Sequence, residues 1–162
     1  MKRLVAAFAV VLPLSAAAEV KTLPPDEQAA LAEGAGAGMA QPAELNGYPG
    51  PKHVLELADA LGLAPDQRRA AEALFHKMRA EARSKGGEVL EREAALDRLY
   101  AERRAEPAAV EALVREIAAL RGELRLAHLR THFEMADLLT PEQRSAYMRL
   151  RGHAHPKGGH KH

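Results

Sequence analysis

Residues 107–127 read PAAVEALVREIAALRGELRLA, and within them Val110, Leu113, Ile117, Leu120, Leu124 and Ala127 recur at alternating three- and four-residue steps. That period is the seam of a helix packed lengthwise on an antiparallel neighbour. Just upstream, Arg104-Ala105-Glu106-Pro107 reads as the hairpin, with Pro107 at a helix start where its missing N–H costs nothing. From Pro65 to about Arg104 the one stop signal is Ser84-Lys85-Gly86-Gly87, and two glycines cost roughly 1 kcal/mol each inside a helix. Leu74, Phe75, Met78 and Ala82 before them, and Val89, Leu96, Leu99 and Tyr100 after, keep a single seam. The pattern predicts one long helix kinked at the glycines. Short connections make neighbouring helices antiparallel, and no strand signal appears. The expected fold is all-α: a kinked antiparallel hairpin of two long helices flanked by short ones.

The flanks are marked by a short segment that recurs. Leu139-Thr140-Pro141-Glu142-Gln143-Arg144 and Leu63-Ala64-Pro65-Asp66-Gln67-Arg68 each read as a helix start. Thr140 is the expected N-cap, Pro141 the first helical residue, and Gln143 the residue that reaches back to the cap. Asp66 and Glu142 place negative charge where the helix dipole favours it. The first copy is weaker, because Ala64 has no capping side chain. A looser version, Leu23-Pro24-Pro25-Asp26-Glu27-Gln28, lies further upstream.

Residues 1–18 read as a signal peptide. Lys2 and Arg3 give the positive start, Leu4 to Leu14 the apolar stretch, and Ala16-Ala17-Ala18 the cleavage site. The apolar run is too short to span a bilayer, so the expected location is the periplasm. Residues 19–50 read as a polar lead-in and Gly/Pro linker, with one short helix from Pro25 to Glu33 and a flexible Gly34-Ala35-Gly36-Ala37-Gly38 run. Residues 51–152 form the expected hairpin domain, opened by a helix from Pro51 to about Leu61 and closed by one ending near Gly152. Residues 153–162 are a His-rich tail whose Pro156, Gly158 and Gly159 cannot fold alone.

Composition narrows the function. Removing Lys2 and Arg3 with the leader leaves 21 Lys+Arg against 22 Asp+Glu, so no basic excess supports nucleic-acid binding. The absence of cysteine excludes thiol nucleophiles, thiolate metal sites and redox switching. No Gly-x-Ser-x-Gly turn, His-Glu-x-x-His motif or phosphate-cradling loop occurs, and the carboxylates alternate with Arg and Lys as on a solvated face. An enzyme is not expected, nor an organic cofactor.

Imidazoles carry the remaining chemistry. His128 and His132 lie one helical turn apart, a spacing that suits two ligands of one zinc, copper or nickel ion. Met135, one turn from His132, offers a soft thioether, and His53 comes from an earlier helix with Glu56 and Asp59 nearby. His128 and Met135 also fall on the Leu124 stripe, where they would simply pack against another helix. In the tail His153, His155, His160 and His162 form a second, looser metal candidate, or a simple metal buffer. Leu126, Leu129 and Phe133 lie opposite the Leu124 stripe, so this helix is apolar on two sides. Such helices sit between neighbours or present a patch to a partner or a second copy.

The paired Leu-(Thr/Ala)-Pro-x-Gln segments in a small exported helical protein resemble the LTxxQ superfamily of periplasmic stress proteins. That group includes the Spy, CpxP and ZraP type of refolding chaperones and CnrX-like heavy-metal sensors. Asn46-Gly47-Tyr48-Pro49-Gly50-Pro51, followed by His53-Val54-Leu55-Glu56-Leu57-Ala58-Asp59, is similar to the same group. The resemblance implies an ATP-independent, metal-responsive chaperone for unfolded envelope proteins, working as a homodimer. The alternative it implies is a metal sensor acting on a membrane sensor kinase or anti-sigma factor. In the sensor pattern a His and a Met stand four residues apart on the late helix; here His128 and His132 have that separation, with His in the second place.

Overall fold

The structure, a computed structural model, describes residues 20–152. The signal peptide expected over 1–18 and the tail at 153–162 lie outside them. Six helices follow in order: α1 Pro25–Glu33, α2 Gln41–Leu45, α3 Pro51–Glu56, α4 Pro65–Ala101, α5 Pro107–Leu138 and α6 Pro141–Leu150. Every helix except α2 opens on a proline at its first position, which explains why the boundaries were readable. The short helix expected from Pro51 to about Leu61 is helical only through Glu56 and continues as turns to Gly62. No helix among the described residues is long and apolar enough to cross a membrane.

The hairpin of α4 and α5 is the frame, and its core divides into two apolar clusters. At the base Val54, Leu61, Ala71, Met135, Leu139 and Tyr147 pack together; midway along, Leu31, Ala82, Val89 and Leu124 do so. Further out Ile117 is still buried, but Leu96, Leu99 and Leu113 are only half-buried. Tyr100, expected in the seam, is 60% exposed.

The repeated segments meet at the base. Gln67 Nε2 donates to Gln143 Oε1 at 2.8 Å, and Gln143 Nε2 donates back to Gln67 Oε1 at 2.9 Å. Each amide oxygen also accepts its own cap's N–H, from Ala64 and from Thr140, both at 3.0 Å. Each amide nitrogen reaches the backbone just before the other copy: Gln67 to the Leu138 carbonyl at 3.0 Å, Gln143 towards the Leu61 carbonyl at 3.4 Å. The two helix starts are thus clamped by one reciprocal amide pair, and that is the physical reason for two copies. Only α6 has the complete capping box, since Thr140 Oγ1 accepts from the Gln143 N–H at 3.2 Å. The looser upstream copy stays local, with Gln28 Nε2 donating to the Leu23 carbonyl at 2.8 Å. Replacing Gln67 or Gln143 by alanine is expected to cost about 2–4 kcal/mol, since each side chain makes four hydrogen bonds worth roughly 0.5–1 each in this half-exposed setting. The double variant should cost clearly less than the two singles together. Additive losses in urea unfolding would mean that the pair does not act as one unit.

Within the lead-in, the helix expected from Pro25 to Glu33 is α1, and it packs onto the hairpin. α1 lies along α4, burying Leu31 in the middle cluster, and Arg121 holds Glu27 at 2.7 Å and Glu93 at 3.0 Å. Arg79 Nε donates to the Glu33 carbonyl at 3.2 Å, satisfying the end of α1. α4 runs unbroken through Gly86 and Gly87. Gly86 is where the backbone of α1 comes closest, and a Cβ there would run into the Leu31 carbonyl. Gly87 has open space around it.

Candidate functional site

Between the two apolar clusters the buried strip of α5 becomes polar. Leu124 belongs to the middle cluster and Met135 to the base; His128, Thr131 and His132 form a buried layer between them. Thr131 satisfies itself by donating to the Ala127 carbonyl at 3.0 Å. The histidines do not close on themselves in this way. They face a pocket of about 660 Å³ whose wall includes His53, Glu44, Gly50, Met78, Arg79 and Arg151, with the Gly34–Gly38 loop as roof.

Hydrogen bonds fix the tautomers. His132 Nδ1 lies 2.8 Å from the Tyr48 carbonyl. A carbonyl only accepts, so Nδ1 carries the proton and a neutral ring presents its Nε2 lone pair. That Nε2 is directed at Gly50, where a Cβ would approach it to 3.2 Å and would also crowd the Glu44 carboxylate. His53 Nδ1 pairs with Glu44 Oε1 at 2.7 Å, which by the same reasoning frees its Nε2. Both arrangements, imidazole N–H to carbonyl and imidazole N–H to carboxylate, are those that orient metal-ligating histidines. His128 Nε2 is buried with no hydrogen-bond partner among the described residues, which leaves its lone pair or proton uncompensated by the fold.

Glu44 is the hub that sequence reading missed. Its Oε1 holds His53, and its Oε2 is 3.4 Å from Arg151 Nη2. Burial, with the Glu44 charge beside it, pushes the Tyr147 phenol up to about 12. The only local signal was its place nine residues before His53 across the Pro49-Gly50-Pro51 turn. The carboxylates expected beside His53 are engaged elsewhere: Glu56 with Lys52 at 3.9 Å, and Asp59 with Arg68 at 2.6 Å. Met135 is fully buried in the base cluster, and the thioether lining the pocket is that of Met78. His153, His155, His160 and His162 lie outside the described residues.

The donor chemistry suits a borderline-soft divalent ion, but the number falls short. Among the described residues no group of three or more His, Cys, Asp or Glu side chains converges closely enough to hold one. The imidazoles share a pocket without forming a closed coordination set.

Burial, and secondarily the neighbouring His132, lowers the pKa of His128. A buried neutral imidazole resists protonation, while the unfolded chain takes up the proton near pH 6.5. Between that value and the lower folded one the unfolded state binds more protons. Stability is therefore expected to fall as pH drops below about 6.5, and a His128→Leu variant should lose less over the same range. Urea midpoints at pH 7.5 and pH 5 check this; equal losses in both proteins would assign the acid sensitivity to other groups.

On the outer side of α5 the apolar trio divides. Phe133 is 57% exposed, Leu126 is exposed, and Leu129 is half-buried. Tyr48 extends this strip, its ring meeting Phe133 edge-on with centroids 5.2 Å apart.

The defining feature of this helical hairpin is the glutamine pair that joins its two proline-started helix starts. Residues 50–151 match the LTXXQ motif family, and the chain belongs to that family. No curated protein and no solved structure is significantly similar to it.

Proposed function

We propose that the protein is a periplasmic, non-catalytic stress protein that holds unfolded envelope proteins without ATP and responds to a divalent metal, zinc in the first instance. The observation that carries this reading is the double role of Tyr48. Its carbonyl accepts from His132 at 2.8 Å, and its ring packs on Phe133. Any ion that pulls on His132 Nε2 acts, through one residue, on the exposed apolar strip. His132, His128 and His53 are the residues that would hold the ion, which would supply charge and fixed geometry to the pocket. The strip of Leu126, Phe133 and Tyr48 is the surface offered to clients, which expose apolar side chains when unfolded. The thinly covered outer hairpin, with Tyr100 and Val114 exposed, is the face a second copy would cover in a homodimer.

The test is aggregation of a chemically denatured client at a one-to-one ratio, with and without zinc. The mature protein should slow it, and combined Leu126→Ser and Phe133→Ser substitution should weaken protection several-fold while sparing zinc binding. Failure to protect under either condition would remove the chaperone reading.

A further inference from the structure

The pocket has the size of a small-molecule site and a wall of two kinds. Its volume of about 660 Å³ falls within the roughly 300–1,000 Å³ of clefts that enclose a compact organic ligand. Part of the wall is apolar, with Leu45, Phe75 and Met78 beside small alanines of the loop. The rest carries charge, and its balance is positive. Lys52, Arg79 and Arg151 stand against Glu33 and Glu44, and Glu44 is already committed to His53 at 2.7 Å and to Arg151 at 3.4 Å. Arg79 donates from Nε to the Glu33 carbonyl, and its two outer nitrogens have no acceptor among the described residues.

Other polar groups here also lack partners. Arg151 Nε and His128 Nε2 are buried with none among the described residues, and His128 is only 4% exposed. The Nδ1 edge of His128 faces the roof, since a Cβ on Gly36 would stand 3.4 Å from that nitrogen. The roof itself supplies donors. The N–H groups of Gly36, Ala37 and Gly38 make no hydrogen bond among the described residues, and residues 37 and 38 are both left-handed, with φ +41° and +79°. Free N–H groups in succession along such a turn form a concavity that accepts an anion. Backbone and arginine N–H groups only donate, so what this wall lacks is an acceptor.

We propose that the pocket binds a small organic acid: the carboxylate lies under the roof among the loop N–H groups, Arg79 and His128, and the apolar body lies against Phe75, Met78 and Leu45. Hydrogen bonds to an ionised carboxylate are about twice as strong as those between neutral groups. Neither ring nitrogen of His128 is held by a hydrogen bond, so the neutral ring is free to turn a proton towards the ligand. The apolar body adds burial that an exposed ion pair lacks. The inference rests on the wall and roof of the pocket and not on ligation of an ion. Read without metal, its failure leaves the ion reading standing, and failure of the ion reading leaves this one standing.

The experiment is a calorimetric titration of the full mature chain in metal-free buffer with three probes: phenylpropionate, its uncharged amide, and acetate. The expected result is one phenylpropionate per chain, bound at least about tenfold more tightly than the amide or acetate. The ring resonances of His128 should shift as the acid saturates. Gly36→Leu, which fills the space under the roof, should abolish binding. Arg79→Gln, at an exposed position that the fold tolerates, should weaken the acid by about fivefold and leave the amide unchanged. Equal affinity for acid and amide would overturn recognition of the carboxylate. Acetate bound as tightly as phenylpropionate would overturn the part given to the apolar wall. No binding of any probe, or binding that survives Gly36→Leu and leaves His128 unmoved, would overturn the site.

Discussion

Gly86→Val is expected to cost about 3 kcal/mol, while Gly87→Ala, one residue along the same helix, should stabilise by about 0.5–1 kcal/mol. Both changes remove a glycine from the interior of α4, so propensity alone gives them the same favourable sign. Their surroundings differ. A side chain at Gly86 meets the Leu31 carbonyl, and α1 must lift away. Overpacking of this kind costs roughly 1–3 kcal/mol, and lifting Leu31 from the middle cluster forfeits burial worth about 1.5–3 kcal/mol. At Gly87 no atom lies within contact distance of the added carbon. Urea unfolding of the two variants checks the pair directly. A gain in stability at both positions would mean that α1 is not docked where the structure places it.

The second large effect concerns the pocket. His132→Asn is expected to weaken zinc binding by about 100-fold or more, because the Nε2 ligand is gone. The fold should persist, since asparagine can still donate to the Tyr48 carbonyl, whereas alanine would leave that acceptor and a cavity at a buried position. In the wild type, zinc should raise the melting temperature by mass action. That gain should shrink in acid, because only the neutral imidazole ligates. A zinc-induced shift of equal size in His132→Asn would place the ion elsewhere.

The long hairpin was legible because its signals are local: prolines at helix starts, and the three-four spacing of Ile117, Leu124 and Ala127. What escaped depends on neighbours distant in sequence. The contact that makes glycine necessary at position 86 was invisible, because its partner Leu31 lies in a nine-residue helix with little apolar face of its own. Gln67 and Gln143 look like two separate caps, for nothing within either segment reveals a pairing across 76 residues. The site was half legible. The i, i+4 spacing of His128 and His132 put both in one buried layer, and His53 did arrive at the same pocket. Met135 sits apart from them, because one turn beyond His132 the strip re-enters the apolar base. Glu44 gave almost no signal, being one carboxylate of many in a stretch without periodicity.

In the function proposed above, an ion in the imidazole pocket changes the hold on clients through His132 and Tyr48. One measurement addresses it: suppression of client aggregation as a function of zinc concentration, for the wild type and His132→Asn side by side. The expected result is a zinc-dependent change in the wild type that saturates at one ion per chain and is absent in the variant. Identical curves for the two proteins, or a wild-type curve flat in zinc, would contradict it.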